Sequence, residues 1–450
     1  MARRLPELRK MSAINVHVLH ARPMPLGPFL RIGHTGQQRL EALLAANRMP
    51  YQRFVFDAAH VRRQQSLLQA LKARGSEVVI DLNFAETAAP GRFGTAVAKL
   101  PWGNPERPWT PDDFGRGRNA DFFKQMAEFA VVTGASAVLA PTHLAEAEAH
   151  PWRTVDLDGC IRLRQELDQA GGKHIAIDYQ LITTTAVLKD PQLRSALLHG
   201  IGDLPFQNLW LRASGFGAKA TGVGTRNLLE TARHLHAVGR PVVLDMAGGF
   251  AGLATLAFGT AGGICHGVAL SESFDVADWR RPPQVGKGGG VGARVYVADL
   301  DRHLSEKQAE AFFAVRGTKS RFACNDTSCC PSGLDDMTES PQSHFITQRH
   351  RQIAELDRLP EARRAEHFLL RMLDPAVRSA RQAAKLKFGD EQVQKLVGEA
   401  KSRLIRFRDA LGALHEAEAI GTDLSRSRAP AFRGGQGDAG GVVTILGGRR

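Results

Sequence analysis

Short apolar runs rich in β-branched and aromatic residues recur along the chain, each bounded by polar or glycine-containing segments. In order they are FLRIG from Phe29, RFVFD from Arg53, EVVIDLN from Glu77, SAVLAP from Ser136, HIAIDYQ from His174, NLWLRAS from Asn208, PVVLDM from Pro241 and GICHGVAL from Gly263. Between them lie segments with helical periodicity, such as QQRLEALLAANR, HVRRQQSLLQALKARG, LDGCIRLRQELDQAGG and TRNLLETARHLHAVG, several closed by a glycine that suits a helix C-terminus. Eight alternations without an Asn-Gly hairpin predict parallel strands joined by crossover helices, hence an α/β fold of the (β/α)8 barrel type. An open doubly wound sheet is the alternative. INVHVLH from Ile14 reads as a flanking strand, and GARVYVADL from Gly292 as a strand outside the barrel.

A chain of 450 residues exceeds the usual single-domain size, so a large domain with appended parts is expected. The pattern divides it into a basic N-terminal segment with a flanking strand (1–28), the barrel (29–300), a metal-binding subdomain (301–360), a helical extension (361–420) and a disordered basic tail (421–450).

Charge adds a partner to this picture. The net charge of +13 favours an anionic partner, with nucleic acid, tRNA or DNA, first among them. The stretch RQAAKLKFGDEQVQKLVGEAKSRLIRFRDAL could track phosphates, although its acidic and basic residues at helical spacing also fit a solvated face. No apolar run approaches the roughly 20 residues of a membrane helix, and the opening MARRLPELRK lacks a signal-peptide core. The expectation is a cytoplasmic protein with no membrane association; a homodimer or a partner subunit is compatible with it.

In a barrel of this kind chemistry sits at the carboxyl ends of the strands, and the residues there are polar almost throughout. They are His34 and Thr35, Asp57, Asp81 and Asn83, Thr142 and His143, Asp178 and Gln180, Arg212 and Ser214, Asp245, and His266 with Ser271 and Glu272. A carboxylate ending a buried strand is costly unless it is paired or catalytic. Asp57 also fits a helix cap, and Asp81, Asp178 and Asp245 also fit internal ion pairs. His143 also fits a loop cap, and His266, among glycines, close packing. RASGFGAKATGVGTRN reads either as a phosphate cradle with Lys219 or Arg226 adding charge, or as a lid.

Three of the five cysteines, Cys324, Cys329 and Cys330, crowd into FACNDTSCC. A disulfide framework suits neither the count nor the expected compartment, and a nucleophile would use only one thiolate. A structural Zn2+ site uses all three with one imidazole, and His344 in SHFITQRHRQI is the natural fourth ligand, His350 the fallback. Partly buried free thiols are the alternative. Cys160 and Cys265 read as core residues.

A basic (β/α)8 pattern followed by a late Cys3His cluster whose histidine opens a helix resembles the tRNA-guanine transglycosylase superfamily, including its relatives that place 7-deazaguanine bases in DNA. The spacing C-x4-C-C-x13-H departs from that family's C-x-C-x2-C segment, NFAET stands where a DSGG-type motif is expected, and GICHGVAL carries no Asp. The resemblance implies base exchange by a glycosyltransferase through a covalent Asp intermediate. By strand position it makes Asp81 the acid/base and Asp245, one strand early, the nucleophile. Asp178 and Gln180 would read the base edge, and His143, Ser214, Lys219 and His266 would line the substrate site. The alternatives are a non-catalytic nucleic-acid-binding or partner subunit, and a phosphate-binding barrel lyase or isomerase acting on a small molecule.

Overall fold

The computed structural model describes residues 26–34, 36–92, 95–117, 121–146, 151–268, 272–281, 292 and 294–427. Each of the apolar runs is a strand: β1 (Gly27–Ile32), β2 (Arg53–Asp57), β3 (Glu77–Asp81), β4 (Ala137–Leu139), β5 (Ala176–Thr184), β6 (Leu209–Ser214), β7 (Val242–Asp245) and β8 (Gly263–Gly267). Every neighbouring pair is parallel, and β8 returns to pair with β1, so the sheet closes into a (β/α)8 barrel. Closure removes both sheet edges, and the helices between the strands cover the outside. The covering helices include α1 (Gln37–Ala45), α2 (Gln65–Ala73), α3 (Asp121–Thr133), α4 (Arg153–Gln169), α5 (Pro191–Leu198), α6 (Gly222–Ala232) and α7 (Gly249–Ala257).

The eighth covering helix arrives late. GARVYVADL forms β9 (Arg294–Val297), paired in an antiparallel hairpin with β10 (Arg302–Ser305) outside the barrel. Only after this and the cysteine segment does α8 (Pro341–Asp357) pack between α7 and α1 against β1. Helices α9 (Asp374–Ala383) and α10 (Glu391–Ser427) follow, and α10 runs past the point where a tail was expected. It crosses α6 so closely that a Cβ on Gly222 would lie 2.5 Å from the carbonyl oxygen of Arg406. The INVHVLH run and residues 428–450 lie outside the described residues.

Alternation along the strands sorts side chains between two cores. Leu30, Phe54, Ile80 and Leu211 face the helices. Phe29, Val55, Val79, Leu139, Trp210 and Val243 fill the barrel interior, with Phe29 edge-on to Trp210. The next inward position toward the carboxyl ends is the one that matters for chemistry.

Candidate functional site: a charged layer at the barrel mouth

Two residues beyond the interior apolar layer, five strands place an ionisable group: Arg31, Asp57, Asp81, Arg212 and Asp245. They form one network. Arg31 Nη1 donates to Asp57 Oδ1 and Asp81 Oδ2, both at 2.8 Å, and Nη2 to both oxygens of Asp245. Arg212 Nη2 donates to Asp81 Oδ2 at 2.9 Å and to Asp245 Oδ2 at 2.7 Å, and Gln180 Nε2 donates to Asp245 at 3.2 Å. Two guanidiniums thus face three carboxylates, one negative charge in excess when all are ionised. Phe274 lies 6.0 Å from the Arg212 guanidinium.

Burial and charge settle where that excess goes. Burial opposes ionisation of Asp245, but Arg31 and Arg212 outweigh it and hold its pKa at about 2; Asp81 is lowered by the same two cations against the same burial. Among the described residues Asp57 meets Arg31 alone at hydrogen-bond distance, and burial raises its pKa. Its side chain also keeps 20% of its surface exposed, against 0% for Asp245. Glu86, raised by burial against the pull of Arg92, and His60, lowered chiefly by burial, flank it, and the His34 and His60 rings lie 5.8 Å apart.

Asp57 occupies the residue before a short helical turn, yet its carboxylate caps nothing there and goes to Arg31 instead, which corrects its reading as a cap. Arg212, one of the expected strand-end residues, and Arg31, which was not among them, are the organising cations of the site. Asp81 and Asp245 do meet at the mouth, 2.9 and 2.7 Å from one shared nitrogen. With both Asp245 oxygens already accepting from cations, the carboxylate is not presented as a nucleophile.

Other candidates sit elsewhere. Asp178 does not reach the mouth: β5 continues to Thr184, so Asp178 lies a layer below, accepting from Trp210 Nε1 at 2.8 Å and from Asn208. Its burial pushes its pKa up to about 7. His266 points outward because its neighbours Cys265 and Gly267 point inward; its Nε2 meets the Tyr51 hydroxyl at 2.7 Å, away from the site. Ser214 Oγ accepts from Val276 N and so anchors the segment that covers the mouth. His143 is buried, hydrogen-bonded to Asp156 and stacked on Trp152.

The glycine-rich segment runs from the roof of the mouth to the start of α6. Phe216–Gly217 pairs with Ser273–Phe274, and Thr221 caps α6 through Gly224 N. Lys219 lies instead in an outer groove of about 620 Å³ between this loop and α10, with Lys395, Lys401 and Arg406. Phe274, Val276 and Trp279 pack over Ala85, Ala89 and Ile182 to roof part of the mouth. Beside His34, a cleft of about 840 Å³ opens between the β1 and β8 ends, β9 and the Leu334–Glu339 helix; Val268, Val295 and Phe313 floor it and Arg39, Glu306 and Lys319 rim it.

Cys324, Cys329, Cys330 and His344 do come together, their ligand atoms within 4.8 Å of one another. His344 Nδ1 lies 3.5 Å from Cys329 Sγ and 3.4 Å from Cys330 Sγ, and the two sulfurs are 3.8 Å apart. Metal–sulfur bonds of about 2.3 Å and a metal–nitrogen bond of about 2.0 Å in a tetrahedron give edges of about 3.8 and 3.5 Å, so these atoms fit such an ion. His344 Nε2 meets the Tyr296 carbonyl at 3.0 Å, which assigns its proton and leaves Nδ1 for a metal. Arg48 donates to the carbonyls of Ser328 and Cys329 and ties the segment to the barrel. His350 instead packs on Tyr51, and Cys160 and Cys265 are buried.

No family model matches the chain, and no curated protein matches it. Solved structures that resemble it include an endo-1,4-beta-xylanase from Penicillium canescens (TM-score 0.35, 11% identity, 53% of this chain and 81% of that one). Others are KGPDC from Streptococcus mutans (0.32, 11%, 57% and 94%) and a type I 3-dehydroquinate dehydratase from Clostridium difficile (0.32, 8%, 57% and 89%). At these scores the likeness carries no argument about chemistry. Among the described residues, no helix is long and apolar enough to cross a membrane.

Proposed function

We propose that the chain is a barrel enzyme of the lyase or isomerase type that moves a proton on a small polar substrate, with Asp57 as its acid–base group. One observation supports this reading. Of the three carboxylates that Arg31 holds, Asp57 alone combines solvent access with a raised pKa. Such a group can hold and release a proton above the ordinary carboxylate range, whereas Asp81 and Asp245 are kept ionised and have no proton to give. Glu86 and His60 are close enough for their charges to bear on Asp57. The test is turnover of a panel of hydroxylated and phosphorylated small molecules followed by mass spectrometry, with wild type and Asp57→Asn side by side. Conversion that survives unchanged in Asp57→Asn removes this residue from the chemistry.

A second reading, base exchange on nucleic acid, is favoured by the position of the Cys3His cluster after the last strand, with its histidine in the first turn of α8. The outer groove gathers the cations Lys219, Lys395, Lys401 and Arg406, with Glu399 as the carboxylate in its lining. On this reading Asp245 must shed its guanidinium partners before it can attack ribose. Incorporation of labelled guanine or a 7-deazaguanine into RNA or DNA decides it. We also infer that the cluster metal is Zn2+, which thiolate and imidazole donors favour in tetrahedral sites, and that the protein works in the reducing cytoplasm, where such thiols stay available.

A further inference from the structure

We propose that His143 and Asp156 form a second polar site of the barrel, in which the bare Nε2 of His143 accepts a hydrogen bond from one water molecule. The site lies just past β4, on the same end of the barrel as the charged layer. Asp156 holds the histidine twice: Oδ1 lies 2.6 Å from Nδ1, and Oδ2 accepts from the His143 backbone N–H at 3.1 Å. Trp152 stacks on the imidazole at 3.6 Å, nearly parallel, and Phe84 lies 4.9 Å from it. Flipping the ring would break its bond to Asp156 Oδ1.

A carboxylate accepts hydrogen bonds and cannot donate them, so the short contact places the proton on Nδ1. In the neutral ring Nε2 is then an acceptor, and it is buried with no partner among the described residues, in a residue only 2% exposed. A buried acceptor left alone costs about 1–3 kcal/mol, which a donor would recover. His143 borders a chamber of about 10 Å³, walled also by Asp156, Tyr179, Gln180 and Leu197, near the smallest volume that takes a water. Gln180 is the wall shared with the mouth, since its amide donates to Asp245. A histidine oriented by a carboxylate and holding a water is the arrangement from which a base can draw a proton. The tautomer of His143 and its water do not depend on whether Asp57 carries a reaction.

Nitrogen-15 NMR of histidine-labelled, full-length protein reads the tautomer, and a crystal structure reads the water. Expected are a protonated Nδ1 with a bare Nε2, and density for one water within hydrogen-bond reach of Nε2. In Asp156→Asn the side-chain oxygen keeps the backbone N–H and the amide nitrogen now donates to Nδ1, so the proton should move to Nε2. Asp156→Glu, which can still accept from Nδ1, should keep the original tautomer if it folds. A wild-type ring protonated on Nε2, an Asp156→Asn ring with unchanged tautomer, or a dry chamber would overturn the proposal.

Discussion

Arg31 and Asp245 come from strands 214 positions apart in sequence, yet one guanidinium nitrogen touches both carboxylate oxygens, at 3.1 and 2.9 Å. The pair spans β1 and β7, on either side of β8 in the closed barrel, and neither side chain is open to water. Cations and anions in this layer therefore depend on one another for compensation.

Removing one cation should be far worse than removing a surface pair. Arg212→Met leaves Asp81 and Asp245 to Arg31 alone, and breaking a buried pair costs about 3–5 kcal/mol. Arg53→Met, which breaks a pair with Glu77 that is 35% exposed on each side, should cost under about 1 kcal/mol. Urea unfolding of both variants at neutral pH makes the comparison. Equal losses would mean that the mouth network adds nothing beyond ordinary surface pairing.

The metal site is open to direct chemical analysis. The purified protein should carry about one zinc per chain, and Cys329→Ser should lose most of it, because the cluster supplies one complete tetrahedral set. Chelation of the wild type should lower the melting temperature. Unchanged metal content in Cys329→Ser would remove that cysteine from the ligand set.

Asp178 should make stability fall as pH rises. Its folded pKa of about 7 lies above the roughly 3.9 of an unfolded aspartate, so folding favours the protonated form. The contribution is complete below about pH 4 and is lost as pH climbs through about 7, an effect of up to roughly 4 kcal/mol. Asp178→Asn, with no proton to lose, should lack that component of the slope. A wild-type stability curve that rises between these pH values after correction for the other carboxylates would show that the three hydrogen bonds from Trp210 and Asn208 outweigh burial.

If the outer groove tracks phosphates, its cations should appear in a salt titration. Lys395→Glu with Arg406→Glu should weaken oligonucleotide binding and reduce the slope of log affinity against log salt by about 2, near 0.9 for each phosphate no longer neutralised. Binding that ignores both substitutions would leave the groove with no role in nucleic-acid recognition.

Much of the barrel was legible because parallel strands buried on both faces read as continuous apolar runs, and all eight runs became strands. The cysteine cluster was legible because three crowded thiols have few physical uses. The site was read less well, for reasons of parity and length. Phe29 and Arg31 share the spacing of Val79 and Asp81, so a period-two reading of β1 places Arg31 in the layer with the aspartates and Arg212. The same parity turns His266 outward. Asp178 reads as a mouth residue when the apolar run is taken to end at Gln180, whereas LITT carries β5 on to Thr184. The partnership of His143 with Asp156 joins a strand end to a helix and leaves no periodic trace.

The late arrival of α8 imposes an order on assembly. During synthesis β1 is made first, but its partner β8 ends only at Gly267 and the helix that covers it only at Asp357. Until then the first strand presents an open edge and an uncovered apolar face, the kind of surface on which chains associate. Ring closure across so long a separation is intrinsically slow. The cysteine segment is emitted just before α8, and His344 lies in that helix's first turn. An ion gripping the cluster would turn the search for the last helix's seat into a short local closure, acting as a clasp on a barrel whose beginning and end are made far apart in time.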